Sequence, residues 1–275
     1  MPNKILIFGD GFIGRRIYDY FQLQSQISSK KIYSFQDAEL EIKKHNPQII
    51  INCIGYTGSR NVDDCENNID KTLFSNSFIP IILAEVAFRR KIKLVHIASG
   101  CIFHYDYKKD KPIDEKRIPD YFNLFYSRSK IYSERAIEVL CKNYNVLIVR
   151  IRVPLDNRPH PKNLLTKLIR YKKVIDIPNS ITYIPDFLKA LAYLIKIDAK
   201  GIYNIVSQGA LRYSELMEVY KRYVPNFVYE VVDFERLGLE RTNLLLSTKK
   251  LKDAGFKIRS TKKILDECVK EYLKY

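Results

Sequence analysis

A doubly wound parallel α/β sheet, followed by a smaller and more loop-rich C-terminal lobe, is the architecture this sequence predicts. Three observations carry it. Short apolar runs alternate with amphipathic stretches through the first half, the pattern of strand–helix–strand units around a parallel sheet. The first run ends in Gly9-Asp10-Gly11-Phe12-Ile13-Gly14, a glycine spacing suited to the turn between a strand and a helix. After Pro154 the elements shorten and loops multiply. The expected division is therefore 1–155 for the sheet domain and 156–275 for a smaller lobe interleaved with it.

The elements follow in order. Ile5 to Phe8 reads as a buried strand, and an amphipathic run from the glycines to Leu23 reads as the first helix. In this context the three glycines describe a dinucleotide loop of the Rossmann type. Gly9 permits the tight turn, Gly11 lets backbone approach a pyrophosphate, and Gly14 lets helix and strand pack closely; Phe12 and Ile13 lie in the same loop. Lys31-Ile32-Tyr33-Ser34-Phe35 reads as the second strand. The residues after it face the ribose 2′ oxygen. Ser34, with Lys30 and Lys31, suits the 2′-phosphate of NADPH, whereas Asp37 suits NADH or caps the helix running to Lys44. Pro47 to Cys53 is the third strand, and Gly55-Tyr56-Thr57-Gly58 after it offers open backbone for a cofactor. Asn61 to Glu66 opens a long helical pattern that contains Asn76 and breaks near Pro80. Ile92 to Ala98 is the fourth strand, His104 to Asn123 a polar loop, Tyr126 to Leu140 a helix and Val146 to Ile151 a strand. Beyond Pro154 the pattern predicts a helix over 162–171, a strand and turn over 174–180, a helix over 185–197, a strand over 202–206, and helices over 213–223 and 260–275.

Composition narrows the function. The net charge of +16 is spread along the chain without a nucleic-acid motif, so a positive field for a phosphorylated small molecule is the expectation, and nucleic acid is not the expected partner. No run is apolar enough to span a bilayer, and the start passes directly into a strand, so a soluble cytoplasmic protein without membrane association is expected. Five cysteines with no C-x-x-C pair argue for reduced thiols, with neither a disulfide framework nor a metal site.

Chemistry gathers at Ala98-Ser99-Gly100-Cys101-Ile102-Phe103 and Tyr126-Ser127-Arg128-Ser129-Lys130. Ser99 and Cys101 follow the fourth strand, at the carboxyl edge where open α/β sheets bind ligands. Tyr126 and Lys130 stand four apart and share a helix face, so the ammonium can lower the phenol's pKa from about 10. Cys101 is either a packed thiol or a base, since a thiol of pKa near roughly 8.5 ionises beside positive charge.

The ordered set of glycine loop, strand-end serine and Y-x-x-x-K resembles the extended short-chain dehydrogenase/reductases. More closely, Asn61 to Glu66, Gly100 to Asp106, Phe125-Tyr126-Ser127, Arg150 to Pro154 and Lys173 to Ser180 resemble the nucleotide-rhamnose synthase/epimerase-reductases. The resemblance runs from Gly9 to Ser180, and more loosely through Ser247 to Leu251. It implies a 3,5-epimerase/4-keto-reductase making UDP-rhamnose from UDP-4-keto-6-deoxy-glucose with NADPH, with Cys101 as base and Lys167 as its partner acid. It further implies Tyr126 and Ser99 at the carbonyl, Lys130 on the ribose, and a structural or relay asparagine at Asn76. His160 competes with Lys167 as the acid. Gly55 is expected in the cofactor site and Thr57, Asn61 and Asn179 in the sugar-nucleotide site, while Arg60, Arg152 and Asn163 suit either contact with diphosphate or sugar or a solvated or capping role. Two departures concern the cofactor: the glycine loop is one residue tighter than in plant members, and their basic residue after the second strand is absent. A homodimer, and a separate 4,6-dehydratase as functional partner, follow from the same resemblance. Rival functions are a reductase or epimerase on a dTDP- or GDP-linked sugar, and a regulatory subunit that keeps the cofactor fold without catalysis.

Overall fold

Ile5–Phe8 (β1) is buried at every position. It is the strand around which the first half of the chain is laid down in the computed structural model, which describes residues 4–275. Phe12–Phe21 (α1) follows, then Ser25–Ser28 (β2), Phe35–His45 (α2) and Ile49–Asn52 (β3). Ile69–Leu73 (α3) continues through a wide π-turn at Phe74–Phe78 into Ile79–Arg89 (α4). Lys93–Ser99 (β4), Phe125–Cys141 (α5) and Val146–Ile151 (β5) come next. Then follow Pro154–Leu155 (β6), Leu164–Tyr171 (α6), Lys173–Ile175 (β7), Thr182–Tyr183 (β8), Ile184–Lys196 (α7), Gly201–Asn204 (β9), Tyr213–Tyr223 (α8), Glu230–Val232 (β10), Lys249–Asp253 (α9) and Thr261–Tyr272 (α10).

The main sheet has the order β2-β1-β3-β4-β5-β9. β1 pairs parallel with β2 and β3, and β3 with β4. The chain steps from β1 to one side and then back to the other, so strand order reverses between β1 and β3. In open α/β sheets the crevice at the carboxyl ends of two such strands is the ligand site. Helices bury their apolar stripes on this sheet: Leu6, Phe8, Ile50, Leu94 and Ile148 pack with Ala38, Ile42, Leu83, Val86 and Ile137, each such aliphatic side chain contributing roughly 1.5–3 kcal/mol on burial.

The chain forms two units. One comprises the residues up to Ile102, Pro119–Arg150 and Leu194–Tyr203; the other comprises Phe103–Ile118, Ile151–Tyr193 and Asn204–Tyr275. The two units interleave along the chain. Leu194–Tyr203 brings β9 to the main sheet, and the loop 103–118 joins the second unit, where Ile113 exchanges backbone hydrogen bonds with Leu245 and Ser247. The second unit has its own core of Leu155, Leu165, Leu168, Tyr183, Leu216, Met217 and Ile264. Its small parallel pairs β6–β8 and β7–β10 are too short for alternation to mark them in the sequence.

Three expectations are corrected. The second strand is Ser25–Ser28, not 31–35. Ser34 accepts a hydrogen bond from the Asp37 N–H at 3.1 Å, while the Asp37 carboxylate accepts from the Tyr33 N–H at 3.1 Å. This reciprocal cap commits the segment to a helix start, so Ser34, and not Asp37, is the N-cap. The helix does not break at Pro80. The π-turn before it widens the carbonyl ladder, which relieves the clash a proline makes one turn back. Finally, Ile69–Arg89 spans 21 residues with mean hydropathy 1.2, long and apolar enough by composition to cross a membrane, with half of its apolar window buried inside the protein. In unit 1 its α4 part packs between α2 and α5 as a core helix.

Candidate active site

The glycine loop is shaped as a cradle. Gly9 has φ +105°, and a methyl there would lie 2.7 Å from the Cys53 carbonyl carbon at the end of β3; only glycine accepts both conditions. A methyl on Gly14 would strike the Gly9 carbonyl oxygen, whereas one on Gly11 meets nothing within 4 Å. Gly9 and Gly14 are therefore required by the protein's own packing, and Gly11 leaves its face open. Phe12 and Ile13 form the first turn of α1, which carries no acidic side chain and no side-chain cap. That set fits a pyrophosphate at a helix N-terminus.

Across the crevice, the loop after β3 is held by Asn76. Its Oδ1 accepts the Tyr56 N–H at 2.7 Å and its Nδ2 donates to the Tyr56 carbonyl at 2.9 Å. Fully buried in the π-turn, Asn76 also donates to Ser129 Oγ at 3.0 Å. A methyl on Gly55 would lie 2.9 Å from Lys130 Nζ and 3.2 Å from Asn76 Oδ1. Lys130 thus reaches the backbone of the loop after β3, at the carboxyl edge of the sheet where open α/β folds bind ligands. Thr57 is half-buried just beyond. Arg60 is turned to solvent and pairs with Asp64, and Asn61 Oδ1 accepts from the Asp63 N–H at 2.9 Å. The structure uses both for the local turn.

Ser99 closes β4 and is buried; its Oγ accepts from the Cys101 N–H at 3.1 Å. Cys101 is half-buried two residues on, and its carbonyl accepts from Ser127 Oγ at 2.6 Å. Tyr126 and Lys130 are both buried on α5. This helix is fixed to β5 by a fully enclosed pair in which Arg150 Nε and Nη2 donate to the Glu134 carboxylate, Nη2 at 2.6 Å. At its start Glu66 accepts the Phe125 N–H at 2.6 Å. Ser99, Cys101, Tyr126, Lys130, Asn76 and the glycine loop are all in one unit.

Burial sets the electrostatics. It pushes the Lys130 ammonium down from 10.5 to about 8, opposed by Cys53, Cys65 and Glu134. It pushes the Cys53 thiol up to about 12 against the pull of Lys130. His96, inside β4, is driven down to about 3 by burial and then by Lys130, so it is neutral beside Asn52, whose Nδ2 lies 3.1 Å from its Nδ1. Cys65 is fully buried with its thiol raised, first by desolvation, and it packs as a small apolar residue.

In the second unit, Lys167 stands on the first turns of α6, held below the usual lysine range by burial and then by the positive charges of Lys162 and Arg241. His160 Nδ1 accepts the Lys162 N–H at 3.0 Å and burial lowers its pKa, so its ring is neutral at pH 7. Asn163 caps α6: Oδ1 accepts from Asp156 and Leu165, and Nδ2 donates to the Asp156 and Arg158 carbonyls. Asn179 is likewise enclosed, accepting from Arg152 Nη2 at 2.7 Å and from the Leu244 N–H, and donating to Asn243. Asn163 thus shapes backbone with both polar atoms of its side chain, and Asn179 ties the Arg152 and Asn243 side chains to the Leu244 backbone.

The shift of β2 changes which residues follow the second strand. Ser34 spends its hydroxyl on the α2 cap, while Ser29, Lys30 and Lys31 follow the true strand end. Lys30 Nζ lies 3.1 Å from Asp37. Ser127 and Ser129 were not singled out in the sequence; their only signal is that both flank reacting residues in Y-S-R-S-K.

The sequence model of the RmlD substrate binding domain matches residues 3–209. The bifunctional dTDP-4-dehydrorhamnose 3,5-epimerase/dTDP-4-dehydrorhamnose reductase of Arabidopsis thaliana is 31% identical over 285 residues, 98% of this chain and 93% of that protein. A trifunctional UDP-glucose 4,6-dehydratase/UDP-4-keto-6-deoxy-D-glucose 3,5-epimerase/UDP-4-keto-L-rhamnose-reductase of the same plant is 30% identical over 277 residues, 95% of this chain and 41% of that protein. The UDP-rhamnose synthase of Acanthamoeba polyphaga mimivirus has the same fold, with TM-score 0.92 at 24% identity over 98% of this chain and all of that one. A dTDP-4-dehydrorhamnose reductase of Bacillus anthracis, solved with NADP, gives TM-score 0.84 at 20% identity, over all of this chain and 99% of that one.

Proposed function

The chain belongs to the RmlD substrate binding domain family, and from that premise we propose that it is a 3,5-epimerase/4-keto-reductase converting UDP-4-keto-6-deoxy-D-glucose to UDP-L-rhamnose with NADPH. One observation carries the reading: Cys101 stands two residues beyond Ser99 and is hydrogen-bonded through its carbonyl to the turn of α5 that bears Tyr126. A plain reductase needs the serine, tyrosine and lysine; the thiol adds a base.

A 4-keto group makes the protons on carbons 3 and 5 acidic, and epimerisation removes each on one face and returns it on the other. Cys101 takes the proton. Ser99 and Tyr126 donate hydrogen bonds to the carbon 4 oxygen as negative charge develops there, the oxyanion-type stabilisation that acts most strongly away from water. For the partner acid that returns the proton, Lys167 has a pKa lowered by burial, closer to neutrality than an ordinary lysine, whereas His160 has its Nδ1 engaged by backbone. A nicotinamide cofactor whose pyrophosphate is held by the glycine loop would supply the hydride for carbon 4. Tyr126 then gives its phenolic proton to the carbon 4 oxygen, and Lys130, held at the ribose, eases that transfer by favouring the phenolate. Lys30 and Lys31 at the end of β2 supply positive charge where a 2′-phosphate lies in this fold, which favours NADPH over NADH.

The plant relatives are named for both steps, one on a dTDP sugar and one on a UDP sugar, so the dTDP-linked substrate is the second reading. We place the protein in the cytoplasm as a homodimer, fed by a separate 4,6-dehydratase. The decisive test incubates it with UDP-4-keto-6-deoxy-glucose in heavy water, with and without NADPH, beside the dTDP analogue. Deuterium at carbons 3 and 5, abolished by Cys101→Ala and slowed but still present in Tyr126→Phe, where Ser99 alone holds the carbon 4 oxygen and reduction is lost, is the expected result. NADPH loss without uptake reduces the protein to a ketoreductase, and faster turnover of the dTDP sugar moves it to the second reading.

A further inference from the structure

Two fully buried serines, Ser127 and Ser129, interleave with Tyr126 and Lys130. Two residues apart on a helix, they point about 200° from one another, so each grips a different neighbour. Ser127 Oγ donates to the Cys101 carbonyl at 2.6 Å. Cys101 lies past the end of β4, outside any strand. This bond ties the backbone carrying the thiol to the helix turn carrying the phenol. Ser129 Oγ donates to the Tyr126 carbonyl at 2.7 Å and accepts from Asn76 Nδ2 at 3.0 Å. Asn76 in turn holds both backbone groups of Tyr56 in the loop after β3. Ser77 Oγ donates to the Ser129 carbonyl at 2.7 Å, locking the same contact from the π-turn side.

We propose that Ser127 and Ser129 are positioning residues with divided duties: Ser127 places the Cys101 thiol for proton transfer at carbons 3 and 5, and Ser129, through Asn76, places the Gly55–Tyr56 loop for the nicotinamide cofactor. The proposal rests on the epimerase-reductase reading. Neither serine exchanges a proton with substrate. Each acts through one hydrogen bond to a group whose placement the chemistry needs, and a displacement near 1 Å at a reacting group can cost about a hundredfold in rate. Because the serines meet separate partners, removing either hydroxyl disturbs one half of the chemistry and leaves the other.

Ser127→Ala and Ser129→Ala, each in the full chain, separate these duties through two measurements. The first is the rate of deuterium uptake into UDP-4-keto-6-deoxy-glucose in heavy water with saturating NADP+, where no reduction runs. The second is the Kd for NADPH by fluorescence titration. Ser127→Ala is expected to lose about tenfold or more of the uptake rate with its NADPH Kd within about twofold of wild type, and Ser129→Ala to weaken NADPH by about tenfold with uptake nearly intact. Serines that merely support the fold lower both quantities together. Parallel losses in both variants, or no loss in either, overturn the proposal. Should the wild type itself show no uptake, the functional reading fails first. The positioning of the thiol is then judged by peptide-resolved alkylation of Cys101 with iodoacetamide: a rate changed severalfold in Ser127→Ala alone supports it, and equal rates in all three proteins refute it.

Discussion

Lys130→Met should make the protein more stable at neutral pH while disabling it. The ammonium is 6% exposed and burial lowers its pKa from 10.5 to about 8. At ~1.4 kcal/mol per pH unit, that difference is about 3 kcal/mol of destabilisation, an upper figure because a flexible lysine relaxes toward water when it can. The sign follows from proton counting. Below about pH 8 the ammonium is charged in both the folded and unfolded chain, so the full penalty acts. Between about 8 and 10.5 the unfolded chain binds the extra proton, and stability rises with pH. Above 10.5 both forms are neutral and the penalty is gone. Methionine has similar length and no charge, so the variant should exceed wild type by about 2–3 kcal/mol at pH 7, and this margin should shrink toward zero by pH 10.5. Urea denaturation of the cofactor-free protein at several pH values measures it directly. A variant less stable than wild type at pH 7, or a margin unchanged with pH, would show that Lys130 is not held as a desolvated cation. On the proposed function, such a penalty is offset by use of the charge at the cofactor ribose, a local loss of stability at a working site.

The same lysine predicts that NADPH binding weakens as pH rises through about 8, approaching tenfold per pH unit, and that Lys130→Met abolishes this slope; titrations from pH 6.5 to 9.5 check it. Gly11→Ala should fold with wild-type stability, since the added methyl meets nothing within 4 Å, yet lose NADPH affinity by about tenfold or more; Gly14→Ala should be destabilised outright by contact with the Gly9 carbonyl, and thermal melts with cofactor titration distinguish the two. Glu134→Ala, which leaves the Arg150 guanidinium buried without its carboxylate, should cost about 3–5 kcal/mol in urea denaturation. Lys30→Glu should shift the ratio of kcat/KM for NADPH over NADH by roughly fivefold or more toward NADH, and Asp37→Asn, by releasing Lys30, should move it the other way.

Much of the first unit was legible because its signals are local. Gly9, Gly11 and Gly14 mark the cradle by spacing, and Ser99, Cys101, Tyr126 and Lys130 sit on the strand end and helix that hydrophobic patterning places them on. The second strand misled because Ile32 is buried without belonging to the sheet, while Ser25–Ser28 carries little apolar pattern. Pro80 misled because a proline normally ends a helix, and only the π-turn before it makes room. Asn163 takes the capping role that stands beside a sugar contact in its reading, and Asn179, expected at the sugar nucleotide, is engaged instead by Arg152, Asn243 and Leu244, far from it in sequence.

The alternation of strands and helices in the first half, the glycine cradle and the candidate site residues are marked by residues within a few positions of one another, through steric freedom at glycine and the periodicity of burial. What only the tertiary structure decided is how those residues are charged and held: Lys130 at about 8, Asn76 spanning to Tyr56 and Ser129, Ser127 on Cys101, and Arg150 against Glu134. Desolvation and hydrogen-bond geometry are properties of the packed surroundings. They join residues up to 53 positions apart around one helix, and no local pattern in the chain records them.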